Sequence, residues 1–595
     1  MIRISTPLIA LTMTAGVAFA VEAPRNDLES RRKGLNDVLA EQWDYNLSTN
    51  PEFASILGDR RWNDKSSDSS LAAIEKDLAK QHEFLQRFEA VDTTGFPEQE
   101  QLNKTLMVRN LKDVLEGARF KDWEMPVSQI SGIQIQAPRL VSYLPFATTK
   151  DYDDYVTRLK HLPKQFDDTM DNMRAGMKDG LIPPRFLLEK VAPQAEEIGS
   201  AEPESSPFAQ CLATFPDGVS VEDQTRIREE VTSAIRELVN PAYKKFAAFV
   251  KDDYAPKGRS EVGIWSLPDG KARYAFYVRT STTTNKTPEE IHQLGLREVA
   301  RIERRMGEIA TRLGFKDLKA MNSANAKNPD LHAHSRQEIV DLYQKYIDQM
   351  WAKLPQLFGR LPKGKVEVKP TEAFREATAA GAEYNQGTPD GSRPGVVNVN
   401  TGNFAERTTI NIETTAYHEA VPGHHMQIAI AQELPTIPPF RQQGGNTAYV
   451  EGWALYSEDL GHEVGFFQDP YSLYGHYQDE MLRAIRLVVD TGLHDKHWTR
   501  VQVVQFFHDH SGSDEVEVQS ETDRYISWPA QALGYKIGQL EIRALRERAK
   551  KQLGKKFDLR KFHDEVLGAG ALPLDVLAER IKNWTKTQKR STAKS

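Results

Sequence analysis

Two histidines and a glutamate in one short stretch of the chain are the residue types of a catalytic metal site. In the stretch Tyr417–Gln427, His418 is followed directly by Glu419, and His424 and His425 come later. Neutral imidazoles are common zinc ligands, and catalytic zinc usually takes three protein ligands. In the H-E-x-x-H pattern of zinc peptidases, the glutamate after the first histidine acts as general base on the attacking water. The stretch therefore predicts metal-dependent hydrolysis with Glu419 as the base.

The second histidine is displaced from its usual position in that pattern. Pro422 stands four residues after His418, and the next histidines are His424 and His425. At 100° per residue, His424 would lie about 120° round a regular helix, and His425 about 10 Å along it. Proline removes a helical hydrogen bond and glycine tolerates the resulting backbone, so Pro422 and Gly423 predict a broken helix. We expect the break to bring His418 and His424 to one ion, with His425 as the alternative.

A third ligand is expected from a neighbouring helical segment. Glu451 begins the apolar stretch Glu451–Glu458. A carboxylate among apolar side chains is costly unless it is paired, and binding a cation removes that cost. Glu458 lies seven residues later on the same helix face, so it is either an alternative ligand or a residue that orients a ligating histidine.

Four sequence blocks resemble the bacterial domain-of-unknown-function family 885. They are residues 418–427, 449–458, 486–494 and 523–538. This family resembles mainly helical zinc peptidases, such as the oligopeptidases and the Taq-type carboxypeptidases. The resemblance implies a Zn²⁺ cofactor, a zincin-like fold and a downstream glutamate as third ligand. The separation of 27 residues (451 − 424) suits Glu451 better than Glu458.

The fold class expected is mainly α, a large helical zincin-like fold with a small antiparallel sheet beside the active-site helix. With 595 residues, of which 39% are hydrophobic, the chain can bury a large core. We expect a signal peptide over 1–20, an N-terminal helical part over 21–285 and a catalytic metallopeptidase-like part over 286–595, fused into one domain. The net charge of −7 disfavours a nucleic-acid surface.

The N-terminus has the pattern of a secretory signal. Arg3 precedes the apolar stretch Leu8–Val17, and Ala18-Phe-Ala20 is a small-x-small cleavage site. We expect cleavage after Ala20 and a periplasmic or secreted protein that is not integral to the membrane. No cysteine follows the cleavage site, so a lipoprotein anchor is not expected. The single cysteine, Cys211, excludes an intrachain disulfide.

Local patterns predict several elements around these motifs. Residues 263–265 and 272–278 are predicted to form short strands on either side of a turn at 268–270. Thr287 with Pro288 predicts one helix start, and Ser335 predicts another. Alternation over 365–369 predicts a strand, as does the segment 393–401 upstream of the metal helix.

The segment upstream of the metal helix also supplies candidate substrate contacts. The resemblance to zinc peptidases implies an edge strand there, whose main chain pairs with an extended substrate. Strand addition holds a peptide regardless of its sequence. We therefore expect Val397, Asn398 and Asn400 to bind substrate, unless this is an ordinary core strand.

The last resemblance block offers the remaining polar candidates. A zinc peptidase needs a donor for the developing oxyanion, and we expect Tyr525 first and Tyr535 second in this role. Arg524 or Lys536 is expected to bind the C-terminal carboxylate of a peptide. A further set shares one helix face by its spacing of four and predicts either an ion-pair network or surface pairs: Arg486, Asp490 and His494.

Together these features predict an exported zinc metallopeptidase that hydrolyses oligopeptides. A zinc hydrolase of a non-peptide amide or ester is the second hypothesis. A non-catalytic protein that captures peptides is the third, and the presence of Glu419 speaks against it. The expected partner is an oligopeptide or small amide, and the oligomeric state is not predicted.

Overall fold

The protein is described by a computed structural model over residues 25–372, 376, 379–388, 391, 393–435 and 437–591. The predicted signal segment 1–20 lies outside these residues. Helices dominate the described chain, and its strands fall between residues 366 and 399. The prediction of a mainly α protein is therefore confirmed. Among the described helices, none is both long and apolar enough to cross a bilayer.

The first half of the described chain is built from helices α1 to α11. They are α1 (Arg25–Thr49), α2 (Pro51–Ile56), α3 (Leu71–Ala90), α4 (Glu98–Gly117), α5 (Ile133–Leu140), α6 (Thr149–Asp179), α7 (Arg185–Leu188), α8 (Val191–Ser200), α9 (Val221–Ala234), α10 (Asn240–Phe249) and α11 (Gly270–Thr282).

The second half contains three strands and helices α12 to α24. The helices are α12 (Pro288–Arg312), α13 (Leu318–Asn325), α14 (Arg336–Leu357), α15 (Ile412–Glu419), α16 (His424–Gln432), α17 (Pro439–Gln442), α18 (Thr447–Glu463), α19 (Pro470–His494), α20 (Arg500–His510), α21 (Glu515–Ser527), α22 (Leu533–Leu553), α23 (Leu559–Leu567) and α24 (Leu574–Ser591).

Two helix starts follow the local capping chemistry that the sequence predicts. At α12, Thr287 Oγ1 accepts from the backbone N–H of Glu290, and the Glu290 carboxylate accepts from the backbone N–H of Thr287. At α14, Ser335 Oγ accepts from the backbone N–H of Glu338 at 3.1 Å. These side chains satisfy backbone donors that a helix leaves free at its first turn.

The prediction of strands over 263–265 and 272–278 is wrong. Residues 264–266 form a short 3₁₀ turn, and the second segment is helix α11. Tyr274 and Val278 are both buried. Their spacing of four puts them on one face of a helix, so burial at helical spacing outweighs the β-propensity of the local aromatic residues.

The sheet is mixed, and the prediction of an antiparallel sheet is wrong in this respect. Its strands are β1 (Val366–Pro370), β2 (Ala382–Asn385) and β3 (Gly395–Val399), in the order β1-β3-β2. β1 runs parallel to β3 and β2 runs antiparallel to it. The parallel pair is joined by 24 residues (371–394), a connection long enough for a crossover.

The largest buried cluster crosses the predicted boundary between residues 285 and 286. It joins Ile264, Tyr274 and Val278 to side chains as far along the chain as Ile581. Helix α11 contacts both α18 and α22. A separate buried cluster lies within residues 127–255. The C-terminal part therefore shares its main core with residues that precede it.

Candidate metal centre

The helix that carries His418 breaks immediately after Glu419. α15 ends at this glutamate, α16 begins at His424, and residues 420–423 between them are not helical. A Cβ atom on Gly423 would collide with the carbonyl oxygens of Tyr417 and His418. The turn therefore needs glycine, and the break predicted from the Pro-Gly pair is confirmed.

The break turns two imidazoles towards each other. The ring centroids of His418 and His424 lie 4.8 Å apart, with perpendicular ring planes. Oε2 of Glu451, from α18, lies 3.6 Å from Nε2 of His418 and 3.4 Å from Nε2 of His424. With bonds of about 2.0 Å, ligand atoms round a tetrahedral zinc are about 3.3 Å apart. The three groups are therefore close enough to share one ion.

Two glycines let the helix of Glu451 approach its neighbour closely. A Cβ atom on Gly452 in α18 would overlap the backbone of Gly538 in α22. A Cβ atom on Gly538 would overlap the carbonyl oxygen of Ala448. This crossing brings Tyr535, one turn before Gly538, close enough to Glu451 to be affected by its negative charge. Burial raises the pKa of Tyr535, and the negative charge of Glu451 raises it further.

The unpaired atoms and the charges of this cluster fit a bound cation. Oε2 of Glu451 and Nδ1 of His424 are buried without a hydrogen-bond partner in the described chain. Burial opposes ionisation of Glu451, yet the two histidines hold its pKa well below the usual range. Burial would lower the pKa of His418, yet the neighbouring carboxylates of Glu451 and Glu458 raise it to about 10. A cluster that attracts a proton this strongly attracts a metal cation, and two imidazoles with one carboxylate are a catalytic zinc donor set.

Glu458 orients His418 instead of facing the ion position. Nδ1 of His418 donates to Oε1 of Glu458 at 2.7 Å, and Thr414 Oγ1 donates to Oε2 at 2.9 Å. Burial opposes ionisation of Glu458, but hydrogen bonds from His418 and His476 outweigh it and hold its pKa at about 2. A carboxylate that accepts the far proton of a ligating histidine fixes the ring and its tautomer. Of the two roles open to Glu458, the geometry supports this one.

His425 is turned away from the cluster and both its nitrogens are occupied. Nε2 lies 3.1 Å from the carbonyl oxygen of Gly364, and Nδ1 lies 3.0 Å from the hydroxyl of Tyr384. Burial lowers its pKa to about 4, so the ring is neutral near pH 7. The structure therefore brings His424, and not His425, to His418 and Glu451.

The carboxylate of Glu419 has no hydrogen-bond partner within the described residues. Its side chain is half-buried at the end of α15, one residue after His418. Burial raises its pKa, and the positive charges of His418 and His424 act against that rise. A half-buried carboxylate with no structural partner is available to accept a proton.

The two tyrosines of the last block have different surroundings. Tyr525 is fully buried, and its hydroxyl donates to Glu521 and accepts from Nε of Arg486 at 3.0 Å. Tyr535 is half-buried, and its hydroxyl accepts from Nη2 of Arg524 at 3.2 Å. The Tyr535 hydroxyl proton has no acceptor in the described part of the chain. Tyr535 is therefore better placed than Tyr525 to donate a hydrogen bond to a ligand.

Comparison with known proteins assigns the chain to a family. Residues 51–581 match the model described as "Bacterial protein of unknown function (DUF885)". The chain belongs to this family. A crystal structure described as "the putative lipoprotein from Colwellia psychrerythraea" is similar, with a TM-score of 0.90 and 30% identity over 94% of this chain and 99% of that chain.

A second solved structure resembles this DUF885 protein in its fold. It is described as "a putative lipoprotein of unknown function from Shewanella oneidensis". Its TM-score is 0.69, with 20% identity over 92% of this chain and 99% of that chain. No curated protein matches the chain.

The structure contradicts the predicted substrate-binding role of Lys536. Its side chain is fully buried, and Nζ donates to Glu480 at 2.7 Å and to Gln539 at 2.8 Å. The carboxylate of Glu298 lies 3.2 Å away. All three ammonium protons therefore have acceptors, and none remains for a substrate carboxylate.

The structure also contradicts the predicted edge-strand role of Val397, Asn398 and Asn400. β3 is the central strand, so both its edges are already paired. Val397 is fully buried, and the amide of Asn400 donates to the carbonyl oxygens of Glu376 and Ala379. A substrate strand needs an unpaired edge, and the edge strand that contacts α15 is β2.

Arg486, Asp490 and His494 share a helix face but do not pair with one another. Asp490 accepts from the Tyr274 hydroxyl at 2.6 Å and from the backbone N–H of Ala530. Nε2 of His494 donates to the carbonyl oxygen of Tyr525 at 3.0 Å. Both predicted alternatives, an ion-pair network and surface pairs, are wrong, because the three side chains are buried and bond to other elements. Arg486 and His494 contact α21, and Asp490 contacts α11 and the backbone of Ala530.

Sequence reasoning missed His476. This buried histidine on α19 lies 3.0 Å from Thr414 Oγ1 and 3.6 Å from Oε2 of Glu458. No motif spacing connects it to the metal stretch. Its contacts arise because α15 packs against both α18 and α19, and that packing leaves no local signal in the sequence.

Proposed function

We propose that this protein is a zinc-dependent hydrolase of peptide bonds. One observation carries the proposal: two buried imidazoles converge on an unpaired carboxylate oxygen of Glu451, and the unpartnered carboxylate of Glu419 stands beside them. His418, His424 and Glu451 would hold the metal. No structural requirement accounts for these unpaired polar atoms in a buried cluster.

The chemistry divides between the metal and the side chains around it. Zinc in this donor set would polarise the scissile carbonyl and lower the pKa of a water beside it towards about 7. Glu419 would take a proton from the attacking water and deliver it to the leaving amine. The Tyr535 hydroxyl would donate a hydrogen bond to the developing oxyanion, held for this by Arg524.

The edge of β2 is the surface that suits an extended substrate. This strand contacts helix α15, and among the described strands only β3 pairs with it, along one edge. Main-chain hydrogen bonds at the other edge would align a peptide irrespective of its side chains. This feature favours peptides over other amides or esters.

We also propose that the protein is exported. The support is the secretory pattern of residues 1–20 together with the structure of 30% identity that is described as a putative lipoprotein, a class of exported proteins.

The test combines zinc content with hydrolysis of unmodified oligopeptides. We expect about one zinc per wild-type chain by elemental mass spectrometry, and peptide products by mass spectrometry. Glu419→Gln should keep the zinc and lose about 10³-fold in kcat, because proton transfer contributes about 10² to 10⁴-fold. Glu547→Gln, at an exposed position on α22, should behave as wild type.

Other results of this test would refute or change the proposed function in different ways. Full activity of Glu419→Gln would refute its role as the base. Cleavage of amides or esters but not of oligopeptides would replace the peptidase by a different zinc hydrolase. Absence of zinc after metal is offered, with peptide binding but no products, would leave a binding protein.

A further inference from the structure

We infer that the site selects substrates with a free carboxylate close to the scissile bond, and that Arg524, supported by Arg486, binds this carboxylate. The inference rests on the proposed hydrolase and adds its substrate class. The protein would remove one or two residues from the C-terminus of a peptide, and would not cut inside a long chain.

Three hydrogen bonds hold the two terminal nitrogens of Arg524, and its Nε–H is left available. Nη1 donates to Glu521 at 3.1 Å, and Nη2 donates to Gln531 at 3.0 Å and to Tyr535 at 3.2 Å. Nε has no partner within the described residues, and 23% of the side chain is exposed. A guanidinium that is fixed but partly open suits recognition of a carboxylate.

Arg486 adds a positive charge that the cluster does not neutralise. It is buried behind Tyr535, with its guanidinium carbon 4.5 Å from the ring centroid, and its Nη1 has no hydrogen-bond partner in the part of the chain that the structure describes. Glu521 is the acid that bonds both arginines. Burial opposes its ionisation, but the two arginines hold its pKa at about 2. Two arginines and one ionised glutamate leave one excess positive charge, which matches one carboxylate.

Tyr535 connects this cluster to the metal centre. Its hydroxyl bonds Arg524, and its helix, α22, packs against α18, which carries Glu451, where Gly452 meets Gly538. The cluster therefore lies on the helix that packs beside a proposed metal ligand. One peptide residue spans about 3.5 Å, so only a carboxylate one or two residues from the scissile bond would reach both places. The main-chain carboxylate of a peptide is at its C-terminus. The residues that carry it are therefore on the C-terminal side of the scissile bond and leave as the amine product.

The test compares tetra- to octapeptides made with a free C-terminal carboxylate and with a C-terminal amide. We expect the wild type to cleave the acids at least about 50-fold faster in kcat/KM, and to release one or two C-terminal residues. In Arg524→Gln this ratio should fall to a few-fold. Arg543→Gln is the charge-matched control, because Arg543 is on α22 but lies beside Asp459 at 3.5 Å, and it should keep the wild-type ratio.

A binding measurement keeps the inference testable without turnover. Calorimetry with alanylalanine and its amide should show at least about 10-fold tighter binding of the acid, and Arg524→Gln should abolish the difference. Equal cleavage of acids and amides, or cleavage in the middle of the peptides, would overturn the carboxylate subsite and leave the hydrolase standing. Cleavage of neither form would count against the hydrolase, and equal binding of the two dipeptides would then overturn the subsite as well.

Discussion

Two buried clusters in this protein are built from charged side chains, but they differ in how many of their polar atoms have hydrogen-bond partners. Around Lys536, the ammonium donates to Glu480 and Gln539, Glu298 lies nearby, and Glu480 also bonds Arg301. At the candidate metal centre, Glu451 Oε2 faces the Nε2 atoms of His418 and His424 and has no hydrogen-bond partner among the described residues.

The difference separates a structural cluster from a candidate site. Two cations balance two carboxylates around Lys536, so this cluster needs nothing further to stay buried. At the candidate metal centre, the unpaired oxygen of Glu451 is costly to bury unless a ligand completes the group. Both clusters are built from charged side chains, so the hydrogen bonding of their polar atoms, and not residue type, distinguishes them.

The largest expected effect separates His424 from its neighbour His425. His424→Ala should lose the bound zinc and at least about 10³-fold of kcat/KM, about 4 kcal/mol, because it removes one of three ligands. His425→Ala should retain zinc, because its nitrogens contact Gly364 and Tyr384 instead. Elemental mass spectrometry and peptide hydrolysis measure both effects. Loss of zinc in His425→Ala alone would refute the ligand set.

The next effect tests the satisfied cluster through stability. Lys536→Met should lower the free energy of unfolding by about 3 kcal/mol, because it leaves Glu480 and Glu298 short of a buried cation. Urea denaturation measures the change, and Lys551→Met, at an exposed position on the same helix, is the control. The folded variant should still bind zinc. If Lys536→Met kept its stability but lost activity, Lys536 would have to be assigned to the substrate-binding site.

The smallest effect sharpens the role of Glu458. Glu458→Gln should weaken zinc binding about 10-fold, because the amide keeps an acceptor for His418 Nδ1 but loses the charge that makes the ring a better ligand. Competition with a zinc chelator measures the affinity. Glu463→Gln is the control, because this residue of the same helix pairs with Arg546. Complete loss of zinc in Glu458→Gln would make Glu458 a direct ligand.

Much of the fold near the site could be predicted because its signals are local. Thr287 and Ser335 cap helices through atoms three residues away, and the Pro422-Gly423 pair ends a helix through the conformational limits of its own backbone. The segment 272–278 could not be predicted in the same way. Its aromatic residues favour a strand locally, but Tyr274 and Val278 are buried together in the core at helical spacing.

The sequence by itself determined the residue types at the candidate site, the position of the proposed base Glu419 directly after His418, and the break that separates His418 from His424. These depend on residue identity and on conformational limits within one or two turns. Tertiary structure alone decided for His424 over His425 and for Glu451 over Glu458 as the partners of His418. It also decided that His476 lies beside Glu458, that the Tyr535 hydroxyl proton has no acceptor in the described chain while Tyr525 is paired, and that Lys536 is buried. These outcomes depend on which helices pack together, and packing is set by contacts between residues far apart in the chain.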